Sequence, residues 1–237
     1  MGEETNVQTF FGIPFDIGND VAGLVAAIIV FSLMFYLSRK IELKPTGRQN
    51  VIEWIIDFTN SIIKSVMPDR EGQKFGLLIF TLFSFIFISN QLGLMLQVSV
   101  NNVTYVKSPT ADVMTTMSFA FLVLLLAHFC GVKKLGFKGY FKNAYLSPIA
   151  FLMPISILEE FTNFLTLALR LYGNIYSGEV LLKLIYQFSK AYGVASFIPA
   201  VPLELIWQGF SVFIGSIQAY VFVTLTMVYI SKKVEKA

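Results

Sequence analysis

The sequence predicts an all-α polytopic membrane protein with about five membrane segments and one interfacial amphipathic helix. The last two segments are expected to form a long, steeply tilted hairpin. Three observations lead to this. Apolar residues make up 55% of the 237-residue chain and charged residues only 14%, with a mean hydropathy of +0.68. A soluble domain carries about 25% charged residues. The apolar residues fall in runs matched to a hydrocarbon core about 30 Å thick, with Lys- and Arg-rich loops between them. One run, from Ser147 to Phe188, would be about 60 Å long as a helix. It must break in two or lie at about 60° to the membrane normal.

The chain reads as a single integral membrane domain, 1–237, and each element has its own signal. Residues 1–19 are short and mixed, and are expected outside. Met1-Gly-Glu-Glu-Thr-Asn has no basic leader and does not read as a cleaved signal peptide. The first span, 21–38, is followed at once by Arg39, Lys40, Lys44 and Arg48, which by the positive-inside rule mark a cytoplasmic loop. Pro45-Thr46-Gly47 then breaks the chain. Over 50–67, Glu53, Asp57, Asn60 and Lys64 recur at helical spacing among isoleucines and Trp54. That pattern suits a helix lying in the inner interface. A second span is expected over 75–96 and a third over 111–130, joined by an outer loop from Gln97 to Lys107. Lys133, Lys134, Lys138 and Lys142 mark the next inner loop. The overlong stretch 147–188 then runs outward. Ser189 to Pro202, with Gly193, Pro199 and Pro202, reads as an outer turn. A final segment, 203–230, returns inward to a cytoplasmic tail, 231–237, with three lysines.

Composition also excludes several functions. One cysteine, Cys130, permits no internal disulfide and shows no metal spacing. No metal and no cofactor are expected. The net charge of +3 sits in loops, so it reads as topology and not as a nucleic-acid surface. No phosphate-binding GxxxxGK[ST] loop is present, so nucleotide chemistry belongs elsewhere. No internal duplication is visible, which argues against inverted-repeat transporters.

The most informative pattern surrounds Arg170. At about 100° per residue, and taking Arg170 as zero, Glu159 falls near about −20°, Asn163 about +20°, Thr166 about −40°, Asn174 about +40° and Ser177 about −20°. Glu160 sits to one side and Glu179 points away. The final segment has a matching stripe: Glu204, Gln208, Ser211, Gly215 and Gln218, within about 80° of one another. Polar side chains inside a membrane segment are costly and mark ion or substrate paths.

An arginine at mid-membrane costs at least about 2.5–3.5 kcal/mol and needs a partner. Within the chain the candidates are poor. Glu159 is about 16 Å away along a helix, Glu179 is on the opposite face, and Asp112 belongs near the outer surface. A carboxylate from another chain is the natural inference. Arginine does not relay protons, because its pKa exceeds about 12. It can force an approaching carboxylate to release its proton, and it can bar protons from leaking straight through. The acids sort by depth into two half-paths. Glu159 and Glu160, with Asn163, lie inside; Glu179, Glu204 and Asp112, with Ser211, lie outside.

The run Leu167-Ala-Leu-Arg170-Leu-Tyr-Gly-Asn174-Ile-Tyr-Ser-Gly-Glu179 resembles the signature helix of subunit a of F-type ATP synthases. Ile157-Leu-Glu-Glu-Phe-Thr-Asn163, Pro109-Thr-Ala-Asp112, Asn90-Gln-Leu-Gly93-Leu and Ile217-Gln218-Ala-Tyr-Val-Phe-Val are similar to other segments of that family, in the same order, from about Pro45 to Ile230. The resemblance implies a non-nucleotide-binding stator subunit in a bacterial cell membrane. Its N-terminus would be outside and its C-terminus cytoplasmic. Its implied partners are a rotating c-ring, peripheral-stalk b subunits, membrane lipid and, indirectly, the soluble ATPase sector. It maps the essential arginine onto Arg170, a supporting amide onto Asn174, the final-helix amide onto Gln218 and the outer acid onto Glu179. Where the family often has a histidine or acid in the final helix, this chain has Ser211, which leaves the partner of Glu179 open between Glu204 and water.

Each residue also has a plainer reading. Arg170 is one tied to carbonyls of the bundle, Glu179 and Glu204 are interfacial charges, Glu159 or Glu160 are inner-surface charges, and Asp112 is a helix start. His128 is expected in an interfacial or packing role, and Asn174 and Gln218 as bonds between helices. The rival functions are a self-contained channel or secondary transporter and a structural scaffold. Co-purification with a subunit ring and a soluble ATPase separates them from the stator reading.

Overall fold

The computed structural model describes residues 7–10, 13–39, 42, 47–95, 98–100, 103–106, 108–146, 150–191 and 193–234. The expected break at Pro45 and Thr46 lies outside these residues, as do Lys40, Lys44, Lys107, Lys236 and the Ser147 start of the long stretch. The described chain is an α-helical polytopic membrane protein. A short hairpin, β1 (Val7–Phe10) and β2 (Ile13–Asp16), leads into α1 (Ile17–Leu37). Then come α2 (Arg48–Val66) and α3 (Gly76–Met95). A second hairpin follows, β3 (Val98–Val100) and β4 (Val103–Val106), where a plain loop was expected. The remaining helices are α4 (Val113–Leu135), the short α5 (Phe137–Phe141) with a π turn at Lys142–Leu146, α6 (Met153–Ala191) and α7 (Val194–Val234).

Among the described residues, four helical stretches are long and apolar enough to cross a membrane: Gly18–Leu37, Gly72–Gly93, Val113–Leu135 and Val194–Val234. Helix α6 is long enough but interrupts its apolar residues with its polar face. It is one continuous helix of 39 residues, so of the two ways to fit the long stretch, a break is excluded. At about 1.5 Å per residue it far exceeds a bilayer core.

The turn between the two long helices, expected on the outer side, is shorter than the sequence suggests. Helix α7 begins at Val194, nine residues before the predicted start, and Pro199 and Pro202 lie inside it. Each proline removes one backbone donor and crowds the carbonyl a turn earlier. In an apolar stretch the flanking backbone still has no better partner than its own helix, so the helix persists. The reversal is made at Gly193, whose φ of 64° falls in the left-handed region that glycine adopts without a Cβ clash. Ser196 Oγ donates to the carbonyls of Ser189 and Gly193, 3.2 Å each, and takes up groups freed at the reversal.

The chain forms two compact units. The first comprises Met1–Lys40, Ser84–Asp112 and Leu171–Ala219. Its interior is held by a buried polar network. Asn90 Nδ2 donates to the Gly215 carbonyl (3.0 Å), Thr110 Oγ1 to Asn90 Oδ1 (2.8 Å), and Ser108 Oγ to the Ser89 carbonyl (3.1 Å). Asn90, Ser108 and Thr110 are fully buried. Such bonds tie apolar helices together where hydrophobic burial against lipid gains nothing. Gly93 is required beside them: a Cβ there would sit 1.9 Å from Ser108 Cβ and 2.6 Å from Ser108 Cα. Gly93→Ala should therefore destabilise the protein by about 1–3 kcal/mol, read as a lower thermal midpoint in detergent. An unchanged midpoint would show that the segment around Ser108 yields freely.

The second unit comprises Ile41–Phe83, Val113–Arg170 and Tyr220–Ala237. Helix α2 buries Ile62 and Ile63 and exposes Asp57 and Lys64 of its polar stripe, but it also exposes Val51, Trp54 and Ile56 and buries Thr59, so its apolar residues are not all packed within this unit. Gly131 on α4 admits close neighbours: a Cβ there would meet the Tyr140 ring at 2.7 Å and the Lys233 carbonyl at 2.8 Å. At the exposed edge, Glu71 pairs with Lys134, whose ammonium holds the Glu71 carboxyl below its ordinary range.

Candidate functional site

Helix α6 carries Arg170, and because the helix is unbroken the angular arithmetic of its polar face applies along its whole length. Arg170 is exposed. Among the described residues it makes no ion pair with a carboxylate of its own chain. Tyr229 lies within electrostatic reach of the guanidinium.

In the second unit, a cavity of about 300 Å³ is lined by Glu159, Glu160, Asn163, Tyr140, Tyr229 and Lys232, among others. All three residues expected on the inner path are therefore brought to one cavity. Glu160 is its most heavily bonded member. It accepts from the Tyr145 hydroxyl at 2.8 Å, pairs with Lys233, and meets His128 Nε2 at 3.2 Å. Glu159 pairs with Lys232 at 3.3 Å, and both are well exposed. Burial of the Tyr140 hydroxyl, aided by the Glu160 charge, pushes it up from its ordinary value of 10 to about 12. Tyr145 is raised as well, by burial and by its hydrogen bond to Glu160.

The sign of this effect is testable. Above pH 10 the tyrosines of an unfolded chain ionise, whereas Tyr140 resists ionisation up to about 12. Stability is therefore unaffected below pH 10 and falls as pH rises from 10 to about 12. The thermal midpoint in detergent should drop over that window. Tyr140→Phe should shallow the drop, and an identical drop in the variant would assign it elsewhere.

In the first unit, a smaller cavity of about 130 Å³ is lined by Asn174, Ser177, Gly178, Trp207, Phe210 and Ser211, among others. Asn174 Nδ2 donates to Gln218 Oε1 at 2.7 Å. This joins the two amides that the α6 and α7 stripes offered separately. Gln218 is 2% exposed, and its Nε2 has no partner among the described residues. The buried Ser211 hydroxyl is likewise unpartnered among them. Trp207 Nε1 donates to the Gly178 carbonyl at 3.3 Å. Glu179, beside Gly178 in sequence, is 2% exposed. A carboxyl so deeply buried is costly unless it is paired or neutral. Glu204 is exposed on α7 and does not line this cavity. Asp112 is half-buried, with extended backbone, between the 3₁₀ turn Pro109–Ala111 and the first residue of α4.

A family model for the ATP synthase A chain matches residues 21–231. The chain belongs to the ATP synthase A chain family. It is 53% identical over 234 residues to ATP synthase subunit a of Pediococcus pentosaceus, covering 99% of this chain and 98% of that one. It is also 53% identical over 213 residues to ATP synthase subunit a of Enterococcus hirae, covering 90% and 89%. With ATP synthase subunit a of Listeria welshimeri it shares 47% over 238 residues, covering 99% and 98%. For this member of the ATP synthase A chain family, the residues that sequence reasoning missed are the partners of Glu160. His128 is the only histidine in the sequence, and its expected role is interfacial or packing. Tyr145 and Lys233 read as loop and tail. Nothing local in the sequence relates them, since they lie 32, 15 and 73 residues from Glu160.

Proposed function

We propose that this chain is the proton-translocating stator subunit of an F-type ATP synthase, with Arg170 as the fixed charge between two polar half-paths. The observation that carries the reading is an exposed guanidinium on the polar face of α6 with no carboxylate of its own chain paired to it among the described residues. Its counter-ion then comes from outside: the carboxylate of each subunit of a rotating c-ring in turn. Near Arg170 that carboxylate loses its proton; away from it, in lipid, the carboxyl must be neutral. Glu159, Glu160 and Asn163, gathered around the inner cavity, form the inner path. Glu179, Ser211, Glu204 and Asp112 form the outer one, and the Asn174–Gln218 pair holds the two long helices in register beside it. Each proton crossing contributes about 2.3 kcal/mol per 100 mV of membrane potential.

The chain performs no covalent chemistry in this scheme and binds no nucleotide. It sits in the bacterial cell membrane with its N-terminus outside and C-terminus cytoplasmic, against the c-ring and the peripheral-stalk b subunits, coupled through them to the soluble ATPase sector. The test is removal of one charge: Arg170→Ala should stop ATP-driven proton pumping in the assembled complex, and normal pumping would refute the reading.

A further inference from the structure

We propose that His128 and Glu160 together hold one exchangeable proton at the inner cavity, carried at rest on the imidazole and passed through the carboxylate to cavity water. This deepens the function proposed above and rests on it for the path the proton serves.

The argument is a count of hydrogens. His128 Nδ1 lies 2.9 Å from the Leu124 carbonyl, one turn earlier on α4. A carbonyl only accepts, so Nδ1 carries a hydrogen. A neutral imidazole has a single N–H, which would leave Nε2 a bare acceptor. Yet Nε2 meets Glu160 Oε2 at 3.2 Å. Two acceptors do not face each other at that distance, half-buried, without a proton between them. The pair therefore holds one proton more than a neutral histidine beside an ionised carboxylate. The Tyr145 hydroxyl and the Lys233 ammonium both donate to the same carboxylate, which stabilises it as an anion and leaves the proton on the imidazole.

The surroundings make the proton exchangeable. Glu160 lines the cavity, whereas His128 stands behind it and is not among the lining residues. Titratable groups face the pair from α5, the π turn, α6 and α7: Tyr140, its ring 5.9 Å from the imidazole, Tyr145, Glu159, and Tyr229, Lys232 and Lys233. In one transfer the Nε2 proton moves to Glu160 Oε2 and then to a water molecule. The imidazole is left neutral, the carboxylate is again an anion, and the charge of the site falls by one; with two acceptors then facing each other, this unloaded state is the less stable one and draws a proton back. The reverse sequence reloads it.

Because His128 is the only histidine in the chain, ¹⁵N-histidine labelling of the full chain in lipid nanodiscs gives one imidazole to read. Both ring nitrogens should carry a hydrogen in the wild type, a reading that requires no substitution. In Glu160→Gln the side-chain amide can donate to Nε2, so only Nδ1 should keep its proton. A wild-type ring with a single protonated nitrogen, or a ring indifferent to Glu160→Gln, would overturn the proposal. In the assembled complex, His128→Gln should lower ATP-driven pumping about 10²-fold, the lower end for a lost proton-transfer group, and should flatten its dependence on pH at the inner side. An unchanged pH profile would remove the pair from the path. The two proposals fail separately. Normal pumping in Arg170→Ala would sink the stator reading and leave the NMR result standing. A singly protonated ring would sink the pair and leave Arg170 in its role.

Discussion

Replacing Arg170 by alanine should abolish ATP-driven proton pumping in inverted vesicles while the soluble ATPase sector continues to hydrolyse ATP. The size follows from electrostatics. A guanidinium about 4 Å from a carboxylate, at the effective dielectric near a protein surface, is worth about 4 kcal/mol. That corresponds to about three powers of ten in the carboxyl's readiness to release its proton. Under the proposed function, each ring carboxyl would without it pass the stator still protonated, and rotation would move no charge. The barrier to straight leakage would go as well, so passive proton conduction should not fall with pumping. Arg170→Lys retains a charge but loses the planar fork and its constant protonation, since a lysine changes its protonation readily when desolvated. It should therefore rescue pumping only weakly. Pumping at the normal rate in Arg170→Ala would mean that the exposed guanidinium on α6 is not the element that unloads the ring.

The second large effect is expected at Glu179. Glu179→Gln should slow proton uptake from the outer side by about 10², the lower end of the range for a positioned proton-transfer group. The substitution preserves size and hydrogen-bonding capacity, so it tests titration and not packing. Glu179 is 2% exposed, whereas Glu204 is exposed on α7. Glu204→Gln should accordingly have much the smaller effect. The comparison is to be made as the initial rate of proton uptake driven by an imposed potential in vesicles of known orientation. An unchanged rate in Glu179→Gln would leave that residue a structural acid, and equal loss in both variants would give the outer path two necessary carriers.

The paired amides Asn174 and Gln218 show how far a linear reading reaches. Asn174 and Gln218 each fell on a polar stripe, and the stripes are local facts of a 3.6-residue period. Their meeting at 2.7 Å is not local, because 44 residues separate them. The prolines were misjudged for the opposite reason. Pro199 and Pro202 carry a strong local turn signal, and the apolar stretch around them overrides it. The hairpins β1–β2 and β3–β4 are not legible in the sequence because strands of three or four residues have too little alternation to register.

By itself the sequence determined that the protein lives in a bilayer, that its long final helices each carry one polar face, and that Arg170 is the one arginine on the first of them. Hydropathy and helical period settle such things residue by residue, with no reference to distant parts of the chain. Only the tertiary structure decided that Glu160 is enclosed by His128, Tyr145 and Lys233, that Gly93 must be bare to admit Ser108, and that Gln218 turns to Asn174. Those arrangements depend on which helix faces meet across long separations, and a contact between faces is a property of packing that no single segment encodes.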